Sequence, residues 1–306
     1  MAWGDQSADF AGFDDVNSEH ASCLICDADN PSEAVVCKQC SAPMALTKDS
    51  VGQGRDPRIV SIVGESNVGK TVYLGFLLDM LSQRAGGFEA IPKGAYSIDL
   101  QQNVIANMSK RRFPGKTAME PNQWYWTYYQ VRRMGKRSKW FDLVMPDIAG
   151  EALAAEVDTP HTFPVIEQVL GKSAGTMMLL DAALAGNGQS RPDFFAMKMM
   201  SYIDTMFADS RSGKLKKPVA VVLCKSDHCP ESFDNPRRFV EANLNRLWNL
   251  CESRFEKVEY FACSAVGSLG YATAQEGESP DFVQPIPLHT SLQGILEPFT
   301  WLVDQI

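Results

Sequence analysis

Apolar positions in this chain gather into short unbroken runs, separated by stretches where they recur at helical spacing. The runs 58–63, 140–145, 176–180, 219–223 and 258–263 predict strands, and the continuous apolar character of 219–223, just after Pro218, predicts a parallel strand buried on both faces. Residues 124–131 are aromatic and β-rich and predict one more. Helical spacing predicts helices over 70–83, 97–110, 193–209, 236–252 and 289–305. In the last of these, Leu292, Ile295, Leu296, Phe299 and Leu302 make an apolar face that should pack on a sheet. Strands alternating with helices predict an α/β fold, a sheet flanked by helices. Met177, Met178, Met197, Met199 and Met200 read as core filler, and the basic run 132–139 as a hairpin tip.

The loop after the first run brings in chemistry. Gly64-Glu65-Ser66-Asn67-Val68-Gly69-Lys70-Thr71 follows G-x-x-x-x-G-K-T between a strand and a helix, the setting a P-loop requires. Its glycines let the backbone approach phosphate, and the N–H groups of Asn67, Val68, Gly69, Lys70, Thr71 and Val72 can point inward at the anion. Lys70 would reach the β- and γ-phosphate oxygens, the Thr71 hydroxyl would hold Mg²⁺, and the following helix aims its positive end at the same charge. The expected ligand is a nucleoside triphosphate. Farther along, the strand 219–223 runs into Cys224-Lys225-Ser226-Asp227. An aspartate at the carboxyl end of a parallel strand lies where open α/β sheets bind ligands. Its two oxygens suit the N1–H and N2–H₂ donors of guanine, which adenine does not present together, and Lys225 would lie along the base. Alone, K-x-D is an ordinary turn; in register with a P-loop it predicts GTP or GDP.

At these residues the chain resembles the Ras-like, translation-factor class of P-loop GTPases, whose base-reading motif is [N/T]-K-x-D. Cys224 stands where that class has a polar residue bracing the phosphate loop, which implies weaker affinity with guanine choice retained. Asp147-Ile148-Ala149-Gly150 matches D-x-x-G. The resemblance implies that Asp147 contacts Mg²⁺ through water and that the Gly150 N–H bonds the γ-phosphate. It also implies that the backbone of Ser264-Ala265 touches the guanine O6. The threonine completing the Mg²⁺ sphere should precede the strand 124–131; Thr117 in Phe113-Pro114-Gly115-Lys116-Thr117 is the candidate, with Thr127 as fallback and a simple turn residue as the alternative reading. Glu151 stands where small GTPases commonly have a glutamine that orients water. A carboxylate can accept from that water, but it repels a triphosphate unless protonated or offset by a cation, so slow intrinsic turnover is expected. Lys110-Arg111-Arg112 and Arg132-Arg133 could supply an arginine finger or simply form a solvated face. Two readings follow. One is a GTP-hydrolysing switch in which Lys70, Thr117, Gly150 and Glu151 do the chemistry. The other is a nucleotide-binding scaffold with negligible hydrolysis. An ATPase would require that Asp227 not read the base.

A second signal precedes the P-loop. Cys23-Leu24-Ile25-Cys26 and Cys37-Lys38-Gln39-Cys40 form C-x₂-C-x₁₀-C-x₂-C, spacing that sets four thiolates around one tetrahedral Zn²⁺ in a closed structural site. A disulfide pair is the alternative, disfavoured in a chain of cytosolic type. Residues 20–45 are too few to bury a core, so the metal would supply their folding energy. Asn30 gives the C-x₃-N-x₆-C spacing of Ran-binding-protein-type zinc fingers, a resemblance that implies loops tied together by its side chain. The tryptophan, Thr-Phe pair and arginines by which such fingers pack or bind are absent, so the ligand is not identified. Cys224, Cys229, Cys251 and Cys263 read as small buried hydrophobes.

Over 306 residues the net charge is −8, which argues against direct nucleic-acid binding. Residues 1–15 are polar and acidic, unlike a secretory leader, and no apolar stretch is long enough to span a membrane, so a cytoplasmic location is expected. The chain divides into a disordered tail 1–19, a zinc ribbon 20–45, a flexible linker 46–57 with Gly52-Gln53-Gly54, and a GTPase domain 58–306. That domain exceeds a minimal Ras-like one and should carry insertions at 84–112 and 152–172, with His161 in the latter structural or exposed. The ribbon ahead of the P-loop, G-E-S-N-V-G-K-T-V-Y-L and D-I-A-G-E resemble the bacterial double-GTPase-system proteins. This implies a protein partner, a second GTPase among the candidates, and a role in bacterial conflict or defence.

Overall fold

The computed structural model describes residues 20–53, 56–135, 139–207, 213–265 and 292–306. The expected tail 1–19, the middle of the basic run 132–139 and the start of the expected helix 289–305 lie outside the described residues.

A small ribbon comes first: β1 (His20–Ser22) and β2 (Asp29–Pro31) pair antiparallel, followed by α1 (Met44–Gln53). Residues 46–53, expected as flexible linker, are therefore helical. The physical reason is burial, since Met44 and Leu46 are fully enclosed in the same core as Ile59 and Val63. The main domain then runs β3 (Arg58–Gly64), α2 (Lys70–Ser82), β4 (Phe88–Pro92), α3 (Tyr96–Ser109), β5 (Tyr125–Arg133), β6 (Phe141–Asp147), α4 (Gly150–Asp158), α5 (Pro164–Lys172) and β7 (Ser173–Asp181). It continues with α6 (Ala182–Gly186), α7 (Arg191–Phe207), β8 (Val219–Cys224), α8 (Glu231–Asp234), α9 (Pro236–Asn243), α10 (Asn245–Arg254), β9 (Val258–Ala262) and α11 (Leu296–Gln305).

One seven-stranded sheet has the order β4-β5-β6-β3-β7-β8-β9. The five strands from β6 to β9 run parallel, and β5 and β4 add an antiparallel edge. Parallel strands need both faces covered, and the side chains alternate accordingly. Val219, Val221 and Leu223 face the core that holds α5, α7 and the ribbon; Ala220, Val222 and Cys224 face α2, α3 and α11. On α2, Leu74, Leu77, Leu78 and Leu81 are completely enclosed, each contributing on the order of 1.5–3 kcal/mol of burial.

Two helical stretches differ from their sequence patterns. The run 236–252 breaks into α9 and α10 at Leu244, which leaves helical geometry with φ −128° and is fully buried. The last helix begins only at Leu296; residues 293–295 instead lie beside Ser264, which exchanges backbone hydrogen bonds with Gln293. The insertion 84–112 supplies an unanticipated edge strand, β4, as well as α3. The insertion 152–172 supplies α4 and α5, joined through buried Glu156, which accepts from the backbone N–H groups of His161 and Phe163 and from the Tyr202 hydroxyl. His161 itself is exposed and pairs with Glu167 at 2.9 Å.

The ribbon docks on the domain. Lys172 donates to the Leu24 carbonyl at 3.0 Å and to Asp27 at 2.6 Å, and the Tyr96 hydroxyl donates to Asp49 of α1 at 2.7 Å. Among the described residues no helix is long and apolar enough to cross a membrane.

Candidate functional site

The parallel strands β3, β6, β7, β8 and β9 all end at one edge of the sheet, so the loops after Gly64, Asp147, Asp181, Cys224 and Ala262 meet there. Because β5 runs the other way, its first residue Tyr125 lies opposite Asp147, and the segment just before it is delivered to the same edge. These loops enclose a cavity of about 350 Å³, lined at one end by Ser66 to Tyr73 with Lys116, Thr117, Gly150 and Glu151, and at the other by Cys224, Lys225, Asp227, Cys263 and Ala265. That is the size of a small-ligand site.

The phosphate-loop end is built tightly. Asn67 and Gly69 both adopt positive φ, 64° and 103°, which turns the chain from β3 into α2; at Gly69 that angle strains any residue with a Cβ. The buried Lys70 ammonium donates to the carbonyls of Gly64 and Glu65, both at 2.9 Å. Burial pushes its pKa down to about 8, against the opposing charges of Asp147 and Glu151. Thr71, Thr117 and Asp147, proposed from sequence as one cation-binding set, lie together. The Asp147 Oδ2 accepts from Thr71 at 2.8 Å and from Thr117 at 2.9 Å, and the two hydroxyls are 3.1 Å apart. Burial raises the Asp147 carboxyl above its ordinary range, and its Oδ1 is enclosed with no hydrogen-bond partner among the described residues. Two hydroxyls and a buried, half-satisfied carboxylate are hard oxygen donors that fit Mg²⁺. Thr127 is elsewhere: buried within β5, it donates to the Met145 carbonyl at 2.7 Å, so the fallback is set aside.

Gly150 opens α4 directly against the P-loop. A Cβ placed there would lie 2.2 Å from the Ser66 backbone nitrogen, so only glycine allows this approach. Glu151 follows, and its Oε1 accepts from the Ser66 hydroxyl at 2.6 Å and from Lys116 at 3.1 Å. The Ser66 bond chiefly, aided by Lys116, holds this carboxyl below its usual range despite some desolvation. Lys116 is thus a cation placed beside this carboxylate, at 3.1 Å.

At the other end, Lys225 sits at φ 58° and its ammonium pairs with Asp181 at 2.6 Å. Asp181 also caps α6 by accepting from the Leu184 N–H, so this lysine is fixed by the end of β7. Asp227 is nearly enclosed; its Oδ2 has no hydrogen-bond partner among the described residues, although the His228 ring lies 3.4 Å away. The Ser264 backbone is paired to Gln293, which leaves Ala265 on the cavity wall. The arginines suggested as fingers divide. Arg132 pairs with Glu89 and stacks on Trp140, and Arg133 pairs with Asp304, so both brace the opposite end of β5. Lys110, Arg111 and Arg112 are not among the residues lining the cavity.

Sequence reasoning missed Ser66, Lys116, Asp181 and Cys263 as site residues. Ser66 and Lys116 carried a signal, the one inside the P-loop motif and the other beside Thr117; Asp181 and Cys263 join the site through strand order.

In the ribbon, the four cysteine sulfurs lie within 4.8 Å of one another, with Cys23 and Cys40 at 3.7 Å and Cys26 and Cys37 at 3.5 Å. A tetrahedron with Zn–S bonds of about 2.3 Å has edges of about 3.8 Å, so the group could hold that ion. The N–H groups of Ile25 and Gln39 point at the sulfurs of Cys23 and Cys37, each at 3.4 Å. Cys23 is pushed down to about 5, chiefly by a hydrogen bond from Cys40, whereas Cys26 is pushed up to about 11 by burial. Asn30 is fully buried and ties the two knuckles. It donates to the Ala28 carbonyl at 2.7 Å and to Cys37 Sγ at 3.4 Å, and accepts from the Lys38 N–H at 2.8 Å.

Residues 61–199, just under half of the chain, match the family model described as Double-GTPase 1. No curated protein matches the chain. Among solved structures, the small GTPase Arl6 (BBS3) of Trypanosoma brucei with bound GppNp is 13% identical, with a TM-score of 0.40, covering 81% of this chain and 96% of its own. The Ski7 GTPase-like domain of S. cerevisiae bound to GTP is 15% identical, with a TM-score of 0.41, covering 81% of this chain and 50% of its own. The SRβ-GTP/SRX complex of the signal recognition particle receptor from Chaetomium thermophilum is 16% identical, with a TM-score of 0.38, covering 69% of this chain and 92% of its own. The family match and the motifs agree: this chain is similar to the Double-GTPase 1 proteins, with a P-loop on a seven-stranded α/β sheet behind a four-cysteine ribbon.

Proposed function

We propose that the chain is a guanine-nucleotide switch that hydrolyses GTP slowly. The observation that carries this reading is the convergence of Thr71, Thr117 and Asp147 at one end of a cavity whose other end holds Asp227, its Oδ2 buried without a hydrogen-bond partner among the described residues. Lys70 and the N–H groups of Asn67 to Val72 would bind the β- and γ-phosphates, and Asp227, with Lys225 and the backbone of Ala265, would hold guanine. Mg²⁺, when bound, would neutralise developing charge between the β- and γ-phosphates. Thr117 and Gly150 belong to two separate loops that meet only at this edge, so both sense whether a γ-phosphate is present. Glu151, held by Ser66 and Lys116, would orient water as an ionised acceptor, which is consistent with slow turnover.

The same Glu151 contacts favour a second reading, a nucleotide-loaded scaffold, if the carboxylate stays with Ser66 and Lys116 and never reaches the water. In both readings the ribbon is a Zn²⁺-held module that recruits a protein partner, a second GTPase by the family resemblance, in a bacterial conflict or defence system within the cytoplasm. Competition of GTP, GDP and ATP against a fluorescent GDP analogue, with and without Mg²⁺, tests the site. Guanine nucleotides should win by orders of magnitude; equal displacement by ATP would overturn the assignment of Asp227.

A further inference from the structure

Two of the cysteines read as small hydrophobes lie inside the base end of the cavity. The Cys263 thiol donates to the Cys224 sulfur at 3.5 Å, both side chains face the same side of the sheet, and both line the cavity. They close the ends of neighbouring parallel strands, with the ladder running past them: the Cys263 N–H bonds the Leu223 carbonyl at 2.7 Å and the Ser226 N–H bonds the Cys263 carbonyl at 3.1 Å. Adjacent strands lie about 4.8 Å apart, within the Cα separation a disulfide spans. Asp227 follows Ser226 directly and Ala265 lies two residues past Cys263, so any movement of these sulfurs is passed to the residues around the base.

Resting on the guanine-nucleotide reading above, we propose that Cys224 and Cys263 form a reversible disulfide site that gates the base pocket. The oxidant is hydrogen peroxide. The Cys224 sulfur, acceptor of the Cys263 hydrogen bond, attacks a peroxide oxygen; the O–O bond breaks, Cys224 becomes a sulfenic acid and the departing hydroxide takes up the Cys224 thiol proton as water. The Cys263 sulfur then attacks the Cys224 sulfur. The S–S bond forms, the S–O bond breaks, and hydroxide leaves with the Cys263 proton as a second water. Two thiols and one peroxide give one disulfide and two waters. Bound guanine nucleotide fills the cavity these sulfurs line and shields them, whereas the empty protein admits the oxidant. The closed bond draws the two loops together, away from the spacing that Asp227 and Ala265 need around guanine. In a reducing compartment such a bond is transient, as sensing disulfides are.

The test uses the full-length, zinc-loaded protein, either freed of nucleotide or loaded with GDP, exposed to hydrogen peroxide. Blocked peptides are mapped by mass spectrometry. Affinity for a fluorescent GDP analogue is read before oxidation, after it, and after dithiothreitol, with released zinc measured alongside to separate damage to the ribbon. The expected result is a Cys224–Cys263 cross-linked peptide that forms fastest in the empty protein, with affinity about tenfold or more weaker and restored by the reductant. Cys263→Ser, compared with its own reduced state, should lose no affinity on oxidation. Absence of the cross-linked peptide, a cross-link without loss of affinity, or an equal loss in Cys263→Ser would overturn the proposal. A reduced protein that binds no guanine nucleotide would instead overturn the functional reading and the gating with it, while the mapped cross-link would still decide whether the disulfide forms.

Discussion

Replacing Gly150 by alanine isolates the contact between the sensing loop and the P-loop. The new Cβ would lie 2.2 Å from Ser66 N, 2.5 Å from the Glu65 carbonyl carbon and 2.7 Å from the Ser66 Cα. All three are backbone atoms, so no rotamer change relieves the overlap. Restoring an ordinary contact of about 3.5 Å to the Ser66 nitrogen requires the loops to part by about 1.3 Å. Overpacking of this kind costs about 1–3 kcal/mol, a fall of several degrees in Tm for a domain of this size. The same shift pulls the Gly150 N–H and Glu151 away from the γ-phosphate position, and a misplacement of about 1 Å in a catalytic group lowers rate by about a hundredfold. GDP affinity, which rests on Lys70, the P-loop amides and Asp227, should be nearly retained. Single-turnover GTP hydrolysis, GDP titration and thermal unfolding of Gly150→Ala together check this. Wild-type hydrolysis with an unchanged Tm would refute the argument that this glycine couples the two loops.

Three further outcomes are expected. Because burial raises the Asp147 carboxyl, its folded pKa exceeds the unfolded one, so its ionisation costs stability as pH rises through the carboxylate range. Nucleotide-free Asp147→Asn should therefore be more stable than wild type at neutral pH, with the gap narrowing on acidification, while losing the Mg²⁺-dependent gain in GTP affinity; parallel pH-dependent melts and GTP titrations read both. Glu151→Gln keeps an acceptor for Ser66 but removes the charge facing the triphosphate, and should raise single-turnover hydrolysis severalfold; an unchanged or lower rate counts against an orienting role. Removing the metal with a chelator, or substituting Cys37→Ser, should lower the Tm of the whole domain, because Cys23, Ile25 and Met44 share a core with Ile59 and Val63; an unchanged Tm would mean that the ribbon folds independently.

The sheet was legible where strands were buried on both faces, as at Val219–Cys224, since unbroken apolar runs admit little else. The edge strand Phe88–Pro92 was not, because its short FEAIP sequence ends in proline and exposes Ile91. Helix α1 hid behind the glycines that suggested a linker; only the burial of Met44 and Leu46 by tertiary neighbours shows why it forms. Within the site, Lys70, Thr71, Asp147 and Asp227 could be read because each sits at a fixed offset from a strand end. Asp181 and Cys263 could not, since their roles depend on which strands are neighbours. Thr117 is intermediate: the antiparallel turn of β5 brings it to Asp147, and composition alone left it level with an ordinary turn residue.

The central claim is most directly tested by phosphate release from GTP and from ATP by the zinc-loaded protein with Mg²⁺, alongside Lys70→Ala and Asp227→Asn. The account predicts slow, GTP-selective release that Lys70→Ala abolishes and Asp227→Asn sharply reduces. Release from ATP at the same rate as from GTP, or activity indifferent to either substitution, would contradict it.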